Sequence, residues 1–160
     1  MPIKNTIQHQ LRRQVNEAVA SVSRHPVPPL GWLATVRKAL GISGQVAMKR
    51  ANISKAELYR IEKAEREGSL TLKTLRSIAH ALGCELHYAV LPQHGVTVEQ
   101  ALYQQARQQA QAILAITDTH MKLENQATSV QEIERQVEEL TQQLMAELPA
   151  WLWEPVRDHS

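Results

Sequence analysis

The sequence has little of what marks a secreted or membrane-bound protein. Cys84 is the only cysteine in 160 residues, so an internal disulfide is excluded. No apolar run approaches the length needed to span a bilayer, and no hydrophobic signal segment stands at the start. We therefore expect a cytoplasmic protein that does not engage a membrane.

Patterns of catalysis and metal binding are also missing. The sequence has no nucleophile elbow, no phosphate-binding loop and no spaced pair of carboxylates. His80, Cys84 and His87 lie close together, but their spacing matches no common zinc pattern. We interpret them as a reduced, buried cysteine beside ordinary histidines, and we expect no enzyme, no metal and no cofactor.

Charge is distributed unevenly along the chain. Residues 1–92 contain 14 Lys and Arg against 6 Asp and Glu, a net +8. Residues 93–160 contain 4 against 10, a net −6. The first part suits a polyanion and the second a basic partner. Two solvated surfaces of opposite sign would give the same counts, so the charges gain meaning only beside the motifs.

The stretch 41–63 predicts two short helices joined by a tight turn. Ser43 can cap the first helix, and Asn52 tolerates the left-handed backbone that a turn residue often needs. Ser54 opens the second helix, and Glu57 three residues later completes a capping-box pattern.

The second of these helices has two different sides. Leu58 and Ile61 place apolar groups on one side, and basic and polar residues occupy the other. Because the major groove of DNA admits one helix, we predict that this polar side contacts bases or phosphates. The candidate DNA contacts are Gln45, Lys49, Arg50, Ser54, Lys55, Ala56, Tyr59 and Arg60. The alternative is a helix-turn-helix that serves only as a structural or protein-binding unit.

Residues 32–91 resemble a helix-turn-helix domain of the Xre (lambda-repressor) type. The matching positions are Leu33, Arg37, Gly41-Ile42-Ser43, Ile53-Ser54, Ile61-Glu62 and Leu75-Ile78-Ala79-Ala81-Leu82. Gly44 departs from the usual glutamine, although Gln45 follows it, and Met48 replaces a small alanine between the two helices. The first departure concerns a phosphate contact, and the second concerns how closely the two helices pack.

The flanking sequence predicts further elements of the same domain. The expected apolar positions of its first helix are Trp32, Leu33, Val36, Ala39 and Leu40, and Thr71 caps a later helix. Residues 84–91 alternate between apolar and polar side chains, which predicts one short strand. Such a strand needs a partner, either the same strand of a second copy or part of the N-terminal arm.

Helical periodicity continues on both sides of the domain. Apolar spacing predicts an N-terminal helix over 3–23, followed by a proline-rich linker. Thr97 caps a long helix to about Leu123, and Ser129 opens another with near-heptad spacing. The terminal segment that contains Trp151 and Trp153 is expected to pack against these helices or a partner, because two tryptophans are costly to leave in water.

We therefore predict a mainly α protein in three parts. An N-terminal helical arm and proline linker occupy residues 1–29. A lambda-repressor-like helix-turn-helix domain with one short β-strand occupies 30–92, and a C-terminal helical extension occupies 93–160.

The chain as a whole resembles the family called mobile mystery protein A, which joins an Xre domain to a tail of this kind. The resemblance is carried by Pro29-Leu30-Gly31-Trp32-Leu33, Leu82-Gly83-Cys84-Glu85-Leu86 and Leu123-Glu124-Asn125-Gln126. Members are typically encoded beside a Fic-domain protein, the enzyme class that transfers AMP from ATP to target proteins. The resemblance implies that the tail binds a Fic-type toxin.

The tail also resembles the inhibitory helix of Fic antitoxins, whose motif is Ser/Thr-x-x-x-Glu-Gly/Asn. Glu124 and Asn125 match this motif, and His120 occupies the Ser/Thr position one helical turn earlier. In the family mechanism the glutamate pairs with an active-site arginine, so ATP cannot bind productively. The resemblance implies a homodimeric antitoxin that also represses its own operon.

Two alternatives stay open at this point. Glu124 can be an ordinary solvated glutamate near the end of a helix. The whole protein can be a transcriptional regulator of a mobile element, whose C-terminal helices only dimerise.

Overall fold

The computed structural model describes residues 2–22, 25–123 and 129–155, and of these the side chains of 5–22, 25–117 and 129–155. The helices are α1 Pro2–Val22, α2 Trp32–Ala39, α3 Gly44–Ala51, α4 Lys55–Arg66, α5 Leu72–Ala81, α6 Val98–Leu123 and α7 Val130–Glu147. Single 3₁₀ turns occupy Gln93–Gly95 and Ala150–Trp153. Across the described residues, no helix is both long enough and apolar enough to cross a membrane.

The chain divides into two compact units. The first, which we name the outer unit, combines Met1–Ala20 with Leu91–Ser160. The second, the inner unit, is Ser21–Val90. The inner unit is therefore inserted within the sequence of the outer unit.

The inner unit contains α2 to α5 around one apolar core. Its buried members are Leu33, Ala47, Leu58, Ile61, Ile78, Ala79 and Leu82. Each helix contributes to this core, because apolar residues recur at helical spacing on one face of each. Trp32 and Leu40, which were expected in the core, are exposed at 43% and 56% of their surface, and Ala34 is buried instead.

The predicted helix boundaries of the inner unit are confirmed. The hydroxyl oxygens of Ser43, Ser54 and Thr71 accept hydrogen bonds from the backbone N–H three residues later. Asn52 adopts the left-handed conformation with φ 54° and ψ 50°. The N–H of Ile53 then bonds the carbonyl of Met48 at 3.1 Å, which closes the end of α3.

Two carboxylates of α4 hold α2 in place. Glu62 forms a salt bridge with Arg37 at 2.8 Å, and both side chains are largely buried. Glu65 accepts hydrogen bonds from the backbone N–H groups of Trp32 at 2.7 Å and Leu33 at 3.0 Å. Glu65 thereby caps α2 across a sequence separation that no local capping pattern reveals.

The predicted strand is wrong. Residues 84–91 form no strand, and no ladder partner lies beside them among the described residues. Alternation of apolar and polar residues describes only the two sides of an extended segment, whereas a strand also requires a second backbone to pair with. Tyr88 and Val90 are accordingly exposed.

The outer unit is built on the pair α6 and α7. Its buried core consists of Leu102, Ala106, Ala110, Val137, Leu144 and Leu152. Both helices follow their predicted spans, and Ser129 caps α7 by accepting the N–H of Glu132 at 3.2 Å. Across one face, Arg107 bonds Glu134 at 2.5 Å, and the Tyr103 hydroxyl donates to Glu138 at 2.7 Å.

The segment after α7 packs through Leu152 and not through its tryptophans. Leu152 is 1% exposed, whereas Trp151 and Trp153 are 42% and 62% exposed. The side-chain amide of Gln109 donates to the carbonyls of Leu152 and Glu154 at 3.2 and 2.7 Å. The segment therefore packs against the helices as expected, but the 3₁₀ turn directs Leu152 into the core and leaves both tryptophans partly exposed.

Helix α1 is fastened to the start of α6 by one side chain. The carbonyl of the Asn16 amide accepts the backbone N–H of Val98 at 2.9 Å, and its amino group donates to Glu99 at 2.7 Å. Thr97 and Gln100 exchange hydrogen bonds at the same helix start. Within α1, Val19 is buried, so the apolar stripe of the arm docks at its C-terminal end.

Candidate nucleic-acid interface

The candidate interface is the outer face of the pair α3 and α4. Leu58 and Ile61 turn one side of α4 into the core. Lys55, Ala56, Tyr59 and Arg60 lie on the opposite side and are exposed, with Tyr59 67% exposed. The N-terminal half of α4 thus presents a positively charged, partly aromatic surface to solvent.

The capping of α4 fixes where this surface begins. The Ser54 hydroxyl oxygen accepts the N–H of Glu57 at 3.1 Å, so Lys55 is the first helical residue. The Glu57 carboxylate lies 3.7 Å from the Arg60 guanidinium, one turn along the helix. Sequence reasoning did not count Glu57 among the site residues, although its i, i+3 spacing to Arg60 indicates this pairing.

The predicted residues of α3 are exposed, but they do not all share one environment. Gln45 and Lys49 are exposed to solvent. Arg50 is exposed as well. However, its Nη2 atom lies only 3.6 Å from the position that a Cβ atom on Gly83 would occupy. The Arg50 guanidinium is therefore next to the end of α5, whereas the remaining predicted contacts lie on α3, α4 and the turn between them.

Of the two unusual positions of α3, Met48 is accommodated by the core. Ala47 is 1% exposed and lies within the core of the inner unit. Met48, the next residue, is half-buried against the same core. A flexible methionine fills irregular space, so the turn keeps its hydrogen bonds. Gly44 begins α3, with Gln45 exposed beside it.

The histidines and the cysteine do not assemble a site. Cys84 is half-buried, and its thiol lies 3.8 Å from the Leu82 carbonyl. His87 and Glu85 lie 3.5 Å apart on an exposed surface. In the part of the chain that the structure describes, no group of three His, Cys, Asp or Glu side chains could hold a metal ion.

The residues predicted to inhibit a toxin lie at the end of α6 and beyond it in the sequence. His120 belongs to the backbone of α6, which ends at Leu123, but its side chain lies outside the described residues. Glu124 and Asn125 lie outside them as well.

Two helices joined by a left-handed turn, with a basic outer face on the second, define a helix-turn-helix domain of the DNA-binding class. Residues 33–88 match the family model HTH_3, described as helix-turn-helix. The matched region covers α2 to α5 of the inner unit. No curated protein and no solved structure matches the chain.

Proposed function

We propose that this protein is an antitoxin of a Fic-type, AMP-transferring toxin, and that it also binds operator DNA and represses its own operon. The observation that carries the DNA-binding part is the exposed basic row on α4 within a helix-turn-helix domain. The toxin-binding part rests on the resemblance of the tail and on its negative charge.

DNA binding follows from the dimensions and charge of α4. A helix seated in the major groove presents its N-terminal side chains to base edges, and here these are Lys55, Ala56 and Tyr59. Lys55 can donate to guanine, Ala56 can contact the methyl group of thymine, and Arg60 can reach a base or a phosphate. Lys49 and Gln45 on α3 then serve the phosphate backbone.

The test of this part is a binding titration with operator DNA selected by the full-length protein. Lys55→Ala and Arg60→Ala should each weaken specific binding by about 1–3 kcal/mol if the contact is to a base. Lys38→Ala removes one exposed positive charge from α2 of the same unit and serves as the matched control. If the double variant of Lys55 and Arg60 bound operator DNA with unchanged affinity and salt dependence, α4 would not be part of the DNA interface.

Several features support a toxin partner for the tail. Residues 93–160 carry a net charge of −6, which favours a basic partner. Helix α6 extends to Leu123, so the motif that starts at His120 begins inside a helix. A buried carboxylate that engages an arginine in two parallel hydrogen bonds forms a strong and specific pair.

The test of this part compares two variants that each remove one negative charge from the tail. Glu124→Gln should release AMP transfer by the co-expressed Fic protein, because the amide cannot neutralise the arginine. Glu139→Gln lies on the exposed surface of α7 and should inhibit like the wild type. Full inhibition by the Glu124 variant, measured as AMP incorporation at equal expression, would contradict the proposed role of this residue.

The runner-up is a transcriptional regulator of a mobile element whose C-terminal helices only dimerise. Exposed apolar side chains on the C-terminal part of the chain favour it, among them Ile116, Val130 and Trp153. A pull-down of the Fic protein with the full chain separates the two functions, since a regulator of this kind would capture no Fic protein.

A further inference from the structure

The outward side of α5 carries a row of basic side chains. Lys73, Arg76 and His80 recur at intervals of three and four residues, so they lie on one side of the helix, and all three are exposed. Ile78 and Ala79 turn another side of α5 into the core of the inner unit, where α5 packs on α2 and α3. The basic row therefore faces solvent along most of the length of α5.

Arg50 joins this row at the C-terminal end of α5. It is exposed, and its Nη2 atom lies 3.6 Å from the position that a Cβ on Gly83 would occupy. Gly83 lies one helical turn after His80, just past the end of α5. The basic residues from two helices thus form one surface, which we name the α5 stripe: Arg50, Lys73, Arg76 and His80.

The sequence around the α5 stripe contains no acidic residue that could neutralise it. Residues 68–84 include no Asp and no Glu. The carboxylates on either side of this stretch lie beside other basic groups, Glu67 at 3.7 Å from Lys63 and Glu85 at 3.5 Å from His87. The positive charge of the stripe is therefore left uncompensated by its neighbours in the chain.

The folded structure does not bring a carboxylate to the stripe either. In the part of the chain that the structure describes, Arg50, Lys73 and Arg76 form no ion pair. Arg37 and Arg60 of the same unit, by contrast, each pair with a glutamate of α4. Like charges left together on one surface repel each other, so an anionic partner stabilises this surface.

The α5 stripe has the length and the chemistry of a phosphate-binding surface. From Lys73 to His80 the helix rises about 10 Å at about 1.5 Å per residue. One DNA strand has a phosphate about every 3.4 Å along its axis, so a duplex laid along α5 presents about three phosphates to it. The exposed hydroxyl of Ser77 is a further donor of the kind that binds phosphate oxygens. Of the described residues between Lys73 and His80, none is both apolar and exposed, so nothing there can anchor a protein partner.

We infer that the α5 stripe binds the sugar–phosphate backbone of the operator duplex, outside the bases that α4 reads. This inference rests on the proposed DNA binding by α4 and adds a second surface to it. Phosphate contacts carry no sequence information, so the stripe strengthens binding to every sequence equally. Because both surfaces belong to the inner unit, a duplex held by α4 meets the stripe at a high effective concentration.

The first test is the salt dependence of DNA binding by the full-length protein. Arg50→Gln, Lys73→Gln and Arg76→Gln, combined in one protein, should reduce the slope of log affinity against log salt by about 3. They should weaken binding to the selected operator and to a scrambled duplex by the same factor. The triple variant Arg50→Lys, Lys73→Arg and Arg76→Lys keeps every charge and should regain most of the lost slope. Circular dichroism of each variant checks that the helices persist.

The second test varies the DNA. Trimming base pairs from the ends of the operator should weaken binding by the wild type in steps, because phosphates that reach the stripe are removed. The glutamine variant should be insensitive to the same trimming. Lys38→Gln removes an exposed charge from α2 and should show the salt slope and the dependence on operator length of the wild type.

The outcomes separate the α5 stripe from the α4 surface. A glutamine variant with wild-type slope and length dependence, in an assay where Lys55→Ala and Arg60→Ala still weaken binding, would overturn the stripe and leave the role of α4 standing. A loss confined to one operator sequence would overturn it too, since phosphate contacts act on all sequences. A wild-type protein that binds no duplex would overturn both.

Discussion

Single residues decide how α2 is attached to the rest of the inner unit. Gly31 precedes α2 with φ 77° and has no side chain with which to cap it. The Glu65 carboxylate fills that role, and it approaches so closely that a Cβ at Gly31 would lie 2.8 Å from Oε2. Glycine is needed here both for its backbone conformation and for the space above it.

We predict that Gly31→Ala destabilises the inner unit more than Gly41→Ala does. Both positions have positive φ, but a Cβ at Gly41 meets no atom within 4 Å. Gly41→Ala should cost about 1 kcal/mol from backbone strain. Gly31→Ala should cost at least about 1 kcal/mol more, because it also displaces Glu65 from two backbone N–H groups. Urea denaturation of the full chain measures both, and equal losses would contradict the capping role of Glu65.

Residues that act on their own neighbours in the chain could be predicted from sequence. The caps Ser43, Ser54, Thr71 and Ser129 were all identified, because a hydroxyl that bonds the N–H three residues later needs no knowledge of the fold. The cap that Glu65 provides was missed, since it joins positions more than thirty residues apart. The burial of Leu152 in place of its tryptophan neighbours was missed for a similar reason, because it depends on where Gln109 lies.

At the scale of elements, electrostatic contacts join α6 to α7 and α1 to α6. The Asn16 amide of α1 lowers the pKa of the Glu99 carboxyl in α6, and within α7 Arg135 lowers the pKa of Glu132. Hydrogen bonds from Gln142 and then Tyr103 lower the pKa of Glu138. In return, Glu138 raises the pKa of the Tyr103 hydroxyl above its ordinary value of 10.0.

These shifts predict that the outer unit loses stability at both extremes of pH. A carboxyl whose folded pKa is lowered stabilises the fold above its ordinary value of 4.5, and that contribution is lost as the pH falls through the lowered pKa. Tyr103 acts in the opposite direction, and its contribution is lost as the pH rises above 10.0. Melting temperatures between pH 7 and pH 3 test the acid side.

A triple variant shows whether the named carboxyls are responsible. With Glu99, Glu132 and Glu138 all changed to Gln, the melting temperature should fall less steeply between pH 5 and pH 3 than in the wild type. These groups lie near the surface, so each effect is small and the three are combined. The same slope in both proteins would assign the acid sensitivity to other groups.

Helices, whose apolar spacing and caps lie within their own sequence, were predicted better than the strand, which needs a second backbone to pair with. Helices α3, α4, α6 and α7 follow from apolar spacing and caps that each helix carries itself. The strand expected over 84–91 has the right alternation but no second backbone to bond. The DNA contacts proposed for Lys55, Tyr59 and Arg60 stay a prediction, because exposure permits contact without showing the ligand.

For the whole molecule, the two units predict which fragments are independent. The inner unit, Ser21–Val90, includes every helix of the helix-turn-helix domain. A fragment of residues 21–92 should therefore keep the helical signal of α2 to α5 and bind a single DNA half-site. A fragment of 93–160 lacks α1, so the starting N–H of α6 and the Glu99 carboxylate lose their partner Asn16.

The corresponding change in the full chain is Asn16→Ala. It should lower the stability of the outer unit by about 1–2 kcal/mol, the usual cost of a lost helix cap. The affinity of the protein for a DNA half-site should stay unchanged. Thermal unfolding and half-site binding of the variant measure the two effects separately. A loss of half-site affinity equal to that of Arg60→Ala would show that α1 supports the inner unit directly.

The insertion of the inner unit between α1 and α6 also sets an order of events on the ribosome. Residues 21–90 leave the ribosome before α6 and α7 do, so they can fold while the outer unit is still incomplete. A nascent chain therefore acquires its helix-turn-helix before the unit proposed to bind the toxin exists. A premature stop anywhere in α6 or α7 would leave a product with its DNA-binding helices intact and its outer unit unfinished.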